Sequence, residues 1–152
     1  MTNMDIYRCE KCGNVVAQIN NGGGTLTCCG QAMTKLVANS TDAAQEKHVP
    51  VVTQEAGKLK VDVGATLHPM LEEHYIEWIA LATEERIEFR FLKPGEAPKA
   101  EFQSIEAGTI FAYCNLHGLW KTDFTSKEEF TIDYEAACSA EFSEGCIMPE
   151  DN

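Results

Sequence analysis

Four cysteines lie near the start of the chain, as Cys9-x-x-Cys12 followed, after fifteen residues, by the adjacent pair Cys28-Cys29. The surrounding residues 1–37 are too few to bury a core that folds alone. Four thiolates are a full tetrahedral set for zinc or iron, and binding of such an ion would supply the missing folding free energy. The spacing therefore predicts a metal-stapled minidomain, in which the turn "NNGGG" separates two short strands.

The adjacent pair is the difficult part of this set, because successive side chains of an extended chain point in opposite directions. Cys28 and Cys29 can face one ion only if the backbone bends, and we expect Gly30 to permit the bend. Four buried thiols without a metal are the alternative, which the adjacency disfavours. Because four thiolates fill a tetrahedron, this centre could carry an electron or hold structure, with no position left for a substrate.

Composition excludes several classes of function. No opening apolar run resembles a secretion signal and no eighteen apolar residues occur together, so we expect a cytoplasmic protein without membrane contact. Seven cysteines in such a chain favour metal or redox chemistry over disulfides. The formal net charge is −12, of which residues 125–152 contribute −7. Such a surface repels phosphate backbones, so nucleic acid is not an expected partner.

The middle of the chain has a period-two pattern, typical of β-strands, in "KLKVDV", "YIEWIAL", "RIEFRFL" and "TIFAY". Short strands between Gly and Pro turns predict a sandwich, preceded by the linker "NSTDAAQ". We thus expect a mainly β chain with a minidomain (1–37), a sandwich (38–124) and an acidic extension of unknown role (125–152). In the extension, "EEFTIDYE" fits a strand, while Ser126 and Glu129 fit a capping box that starts a helix, and both remain open.

A second group of possible metal ligands falls in the sandwich region. Taken singly, a histidine is more often a surface or core residue than a ligand, but all four histidines of the chain lie here with one unpaired cysteine: His48, His68, His74, His117 and Cys114. Zinc has little use for five protein ligands, whereas iron accepts six and would keep one position open. An open position allows substrate chemistry, and a thiolate opposite it would donate electron density.

Six blocks of the sequence are similar, in order and spacing, to the desulfoferrodoxins, a family of two-iron superoxide reductases. They are "YRCEKCGN", "GGGTLTCCGQAM", "EKHVPV", "HPMLEEHYIEWI", "FLKPGEAP" and "YCNLHGLWK", and the similarity covers roughly residues 5–124. The resemblance implies a rubredoxin-like iron on the four N-terminal cysteines, in a desulforedoxin-like domain, where zinc can substitute. It implies a second iron on an immunoglobulin-like sandwich, with four equatorial histidines, an axial Cys114, and His117 binding through Nδ1.

The resemblance also implies a function, the one-electron reduction of superoxide to hydrogen peroxide, with rubredoxin or a similar protein as electron donor. It assigns Lys47 to attraction of superoxide and placement of a water for proton delivery, and Glu46 to the sixth position of the ferric iron. An exposed Glu-Lys pair is usually just solvated surface, but here the pair adjoins His48. The alternatives are an electron-transfer iron protein without turnover and a zinc-stapled interaction module. The small core of the minidomain further predicts a homodimer.

Overall fold

The computed structural model describes residues 4–126, which form twelve β-strands and one short helix. The minidomain contains five of the strands: β1 (Asp5–Arg8), β2 (Val15–Gln18), β3 (Thr27–Cys28), β4 (Gln31–Ala32) and β5 (Thr34–Lys35). They form a three-stranded antiparallel sheet in the order β2-β1-β5 and a separate β3-β4 hairpin. The glycine-rich turn predicted from "NNGGG" lies between β2 and β3, as expected.

The rest of the described chain is a helix followed by a seven-stranded sandwich. Its elements are α1 (Gln45–His48), β6 (Pro50–Glu55), β7 (Lys58–Val63), β8 (Ile76–Ala82), β9 (Ile87–Phe91), β10 (Lys99–Gln103), β11 (Ala107–Cys114) and β12 (Gly118–Thr125). The two antiparallel sheets have the orders β10-β7-β6 and β12-β11-β8-β9. Strands one, two and five of the seven thus face strands three, four, six and seven, which is an immunoglobulin-like arrangement. The prediction of a mainly β, two-part fold is confirmed.

Two separate apolar clusters form the core. The first lies between the two sheets and contains the inward residues of β7, β8, β10 and β11, including Cys114. The second lies on the outer face of the four-stranded sheet, where Met4 and Ile6 of the minidomain pack against Trp78, Phe111 and other residues of that face. β8 is therefore buried on both faces, and six of its seven residues are buried. The minidomain acts as a third layer over the sandwich.

The period-two segments all form strands, but the linker and one residue of β9 differ from what the sequence predicts. The linker "NSTDAAQ" was expected to be irregular, whereas its last residue, Gln45, begins helix α1, which ends at His48. On β9, Ile87 and Phe89 pack against the second cluster, but Phe91 is 76% exposed. The strand or helix predicted after Ser126 lies outside the described residues. Among residues 4–126, no helix has the length and apolar character needed to cross a membrane.

Candidate metal centres

The four N-terminal cysteines come together at one end of the minidomain. Their sulfurs all lie within 4.8 Å of one another. The Sγ atoms of Cys12 and Cys28 are 3.6 Å apart, and those of Cys28 and Cys29 are 3.9 Å apart. A tetrahedron with metal–sulfur bonds of about 2.3 Å has edges of ~3.8 Å. The sulfur positions therefore fit a single tetrahedral ion.

The bend that lets adjacent cysteines share a centre involves two residues. Gly30 has φ of 75°, in the left-handed region as anticipated, and Cys29 itself has φ of 51°. A non-glycine residue in this region costs on the order of 1–2 kcal/mol. The sequence indicates Gly30 as a residue that permits the bend, and the structure adds Cys29, which itself carries a ligand atom.

The thiols of this four-cysteine cluster have strongly divergent proton affinities. The backbone N–H of Cys12, the largest influence, lowers the pKa of Cys9 to about 6, although burial opposes it. The thiols of Cys12, Cys28 and Cys9, in that order, contribute most to raising the pKa of Cys29 to about 12. The thiolate of Cys9 thus forms readily, whereas hydrogen bonds with the neighbouring thiols favour the protonated form of Cys29. A bound cation favours the thiolate form and allows all four thiols to deprotonate.

The second cluster is assembled from three parts of the sandwich. His48 ends α1, and His68 and His74 lie between β7 and β8. Cys114 ends β11, and His117 lies in the tight β11–β12 connection. One ligand atom from each residue lies within 4.8 Å of the others. We call these five residues the histidine-thiolate cluster. His48 and His68 are each 3% exposed and Cys114 is fully buried, so these three residues of the cluster are shielded from solvent.

Backbone carbonyls set the tautomers of two of these histidines. Nδ1 of His48 donates to the Ala44 carbonyl at 2.7 Å, and Nδ1 of His68 donates to the Pro69 carbonyl at 2.7 Å. Each Nε2 therefore carries a lone pair, and these two atoms are 3.1 Å apart. Burial is the largest cause that lowers the pKa of His68, to about 4, which keeps its imidazole neutral. Two such lone pairs repel one another unless a cation lies between them.

The nitrogen spacing fits a metal ion as well. Nε2 of His48 is 3.0 Å from Nδ1 of His117. Neighbouring ligands at right angles, with metal–nitrogen bonds of about 2.1 Å, are separated by about 3.0 Å. Nε2 of His74 is buried and has no hydrogen-bond partner among residues 4–126. An orphaned buried nitrogen is costly, and a metal ligand bond satisfies it.

Cys114 and His117 approach the cluster from one turn of chain. Nδ1 of His117, rather than Nε2, faces the cluster and lies 3.8 Å from Sγ of Cys114. Burial is the main reason that the pKa of the Cys114 thiol is raised, while the N–H groups of Leu116 and His117 partly oppose it. A β-bulge lies beside the thiol, because Tyr113 pairs with Trp78 but Cys114 pairs with Ile76. The extra residue, Glu77, shifts the register beside the cluster.

Trp120 was not singled out by the sequence, although it lies in the same "AYCNLHGLWK" stretch as two cluster residues. Its ring is fully buried and stacks on the imidazole of His48, with centroids 4.8 Å apart. Its Nε1 donates to the His117 carbonyl at 3.1 Å. Trp120 therefore packs against two cluster residues at once, and only the fold reveals this contact.

Glu46 and Lys47 lie on the exposed side of α1, next to His48. The positive charge of Lys47 is among the influences that lower the pKa of His48 and His74, after burial as the largest. The ammonium group thus acts electrostatically on the cluster. The backbone around it is tightly held, since the N–H of Thr66 donates to the Glu46 carbonyl at 3.0 Å.

Comparison with known families decides the relationship. The family model described as Desulfoferrodoxin matches residues 40–123, and the one described as Desulfoferrodoxin, N-terminal domain, matches residues 1–36. The chain belongs to the desulfoferrodoxin family. The resemblance seen in the six sequence blocks is thereby confirmed. The two side-chain clusters of this desulfoferrodoxin fit the iron centres of the family.

Two curated relatives and one solved structure show the extent of the similarity. The desulfoferrodoxin of Desulfarculus baarsii is 50% identical over 122 residues, which cover 79% of this chain and 96% of the relative. That of Clostridium acetobutylicum is 47% identical over 120 residues, with coverages of 79% and 96%. The crystal structure of the superoxide reductase from Treponema pallidum has a TM-score of 0.64 at 29% identity, covering 79% of this chain and 98% of its own.

Proposed function

We propose that this desulfoferrodoxin is a superoxide reductase that consumes one superoxide, one electron and two protons to form hydrogen peroxide. The observation that carries the proposal is the convergence of four imidazoles and one thiolate on a single point. Five protein ligands exceed what zinc uses and leave iron one free position. The superoxide reductase of Treponema pallidum, which shares the fold, supports the same activity.

Iron, when bound in the histidine-thiolate cluster, supplies the electron and a site where an anion can bind. The protein supplies the rest. The carbonyls of Ala44 and Pro69 hold two imidazoles with Nε2 inward, so that these two donors are neutral nitrogens. Cys114 contributes the single negative charge and its polarisable sulfur. We assign Glu46 to closing the free position in the oxidised state, because it lies two residues before His48 on α1.

Lys47 has a particular task in a protein of this charge. The formal net charge of −12 repels an anionic substrate at long range. A nearby cation can reverse this repulsion only within about 8 Å at physiological salt. Lys47 precedes His48 on α1 and is exposed, so its ammonium group can meet superoxide at the mouth of the site and hold a water that delivers a proton.

The test of this function combines metal analysis with product stoichiometry. The full chain reconstituted with Fe²⁺ is expected to hold two iron ions, and to consume superoxide in the presence of a rubredoxin-type reductant. Reduction gives one hydrogen peroxide for each superoxide, whereas dismutation gives one for every two. A protein that cycles electrons without consuming superoxide would instead be an electron carrier. A colourless, redox-silent zinc protein would be an interaction module.

Replacing Lys47 by alanine is expected to slow the bimolecular reaction with superoxide by about 10- to 100-fold, if one nearby charge supplies most of the local attraction. Stopped-flow or pulse-radiolysis rate constants at several ionic strengths measure this effect. Lys58→Ala is the matched control, because Lys58 is also exposed but begins β7 at the far end from His68. A Lys47→Ala rate constant equal to that of wild type at every ionic strength would remove Lys47 from the mechanism.

We assign the four-cysteine cluster to a rubredoxin-type iron, with zinc as a possible substitute, and propose rubredoxin or a similar protein as the electron donor. Three exposed leucines adjoin histidines of the other cluster and offer an apolar face for such a donor: Leu67, Leu71 and Leu116 are 52%, 54% and 60% exposed.

We further propose separate units at 1–37 and 38–124, with an acidic extension at 125–152. The five free cysteines of the described chain suit a reducing cytoplasm.

We expect the protein to sediment as a homodimer at micromolar concentration, with contacts made by the minidomain. Ile19 and Val37 are 81% and 67% exposed on this small unit, and Val16 is 37% exposed. Apolar side chains on a domain with so little core are best covered by a partner. Sedimentation velocity on the metal-loaded full chain measures the mass. A single monomeric species at micromolar concentration would contradict the prediction.

A further inference from the structure

The amide side chain of Asn115 joins the two loops that carry cluster residues. Its Oδ1 accepts from the N–H of Tyr75 at 2.9 Å, and its Nδ2 donates to the carbonyl of Glu73 at 3.0 Å. Its own backbone N–H donates to the Tyr75 carbonyl at 3.2 Å. The residues bound on either side, Glu73 and Tyr75, are the two chain neighbours of His74. One side chain thus holds the backbone before and after a single histidine.

Within the described chain, His74 lacks the ring-to-carbonyl hydrogen bond that His48 and His68 have. His48 and His68 each have a ring N–H that is tied to a backbone carbonyl at 2.7 Å. Nε2 of His74 has no hydrogen-bond partner among residues 4–126, and no ring-to-carbonyl tether is found for it there. The backbone of His74 itself forms a bridge to Leu71, with N–H···O distances of 2.9 and 3.2 Å. The ring is therefore placed by its backbone, and the backbone is held by Asn115.

We infer that Asn115 is a positioning residue that sets the place of His74 relative to Cys114 and His117. Asn115 directly follows Cys114 in sequence and precedes His117 by two residues, so it belongs to the same turn. Its two side-chain hydrogen bonds transmit the position of that turn to the loop after β7. The inference rests on the proposed function, because it takes the histidine-thiolate cluster to be a metal site.

The size of the effect follows from comparable supports in metal proteins. Loss of an outer partner that orients a ligand typically lowers metal affinity by about 10- to 100-fold. In the Asn115→Ala variant, the Tyr75 N–H and the Glu73 carbonyl lose their partners, and the His74 loop is free to move away. The four-cysteine cluster shares no residue with this network, so it serves as an internal reference in the same molecule.

The experiment titrates the metal-free full chain with Co²⁺ in competition with a chelator and follows both sites by their absorption spectra. The expected result for Asn115→Ala is an affinity about 10- to 100-fold lower at the histidine-thiolate cluster. The affinity at the four-cysteine cluster should stay at the wild-type value. Equal wild-type affinities at both sites of the variant would overturn the inference.

Asn39→Gly is the matched control. The amide of Asn39 makes the same kind of two-point contact, with the backbone N–H and carbonyl of Lys121 at 2.9 and 3.1 Å. Glycine avoids backbone strain there, since Asn39 has φ of 60°. This variant should lose stability in urea yet keep Co²⁺ affinity at both sites. An equal loss of affinity in both variants would assign Asn115 a merely structural role. Wild-type protein that binds one Co²⁺ instead of two would refute the proposed function separately.

Discussion

Replacing Cys114 by serine is expected to abolish superoxide reduction while the sandwich stays folded. The thiolate is the one anionic and polarisable ligand of the histidine-thiolate cluster, and a hydroxyl is a harder, weaker donor. The side chain is fully buried on the inner face of β11, and serine is slightly smaller, so no overpacking results. The measurements are superoxide consumption, iron content and far-ultraviolet circular dichroism. Turnover at the wild-type rate would exclude Cys114 as the essential thiolate.

Ala112→Ser is the matched control for this variant. Ala112 is also fully buried in the inter-sheet cluster, two residues before Cys114 on the same strand. The substitution places a hydroxyl in the same core and leaves every cluster residue intact. It should lower the free energy of unfolding by about 1–3 kcal/mol, the cost of a buried polar group without a partner. Superoxide consumption per bound iron should remain at the wild-type level, so that loss of activity in Cys114→Ser is attributable to the sulfur.

Replacing Gly64 by alanine is expected to destabilise the protein more than any surface substitution and to disturb the substrate face. Gly64 has φ of 86°, and an added Cβ would clash with the Thr66 carbonyl oxygen and lie 2.6 Å from that of Lys47. Both obstacles are backbone atoms, so relief requires movement of α1 or of the turn before His68. Conformational strain alone costs about 1–3 kcal/mol, and we expect the clash to bring the total loss above ~4 kcal/mol.

Gly57→Ala separates the two causes. Gly57 has φ of 76°, and no atom lies within 4 Å of the added Cβ. This variant carries the conformational strain alone and should lose about 1–3 kcal/mol. Urea unfolding of both metal-free proteins measures the difference, and Co²⁺ titration reports on the histidine-thiolate cluster. If the two variants were equally stable, the close approach of the Gly64 turn to Lys47 would make no contribution to the free energy of unfolding.

Much of the fold followed from local patterns. The alternation in "KLKVDV" predicts a strand with one buried face, and β7 shows that alternation residue by residue. The same alternation predicts where β8 lies in the chain. It does not predict that both faces of β8 are buried, because the outer face is covered by the minidomain. Helix α1 is only four residues long and has no side-chain cap, so no start signal marks it in the sequence. The β-bulge at Glu77 is likewise a property of pairing between two distant strands.

The sequence by itself determined which atoms can bind metal, because ligand chemistry belongs to residue type: four thiols in one short window, and four imidazoles with one thiol in the sandwich region. Only the tertiary structure decided how those atoms face one another. The inward nitrogens of His48 and His68 depend on carbonyls at 2.7 Å, and the place of His74 depends on the amide of Asn115, 41 positions away. Such contacts join segments that are distant in sequence, and a local pattern carries no information about them until the chain has folded.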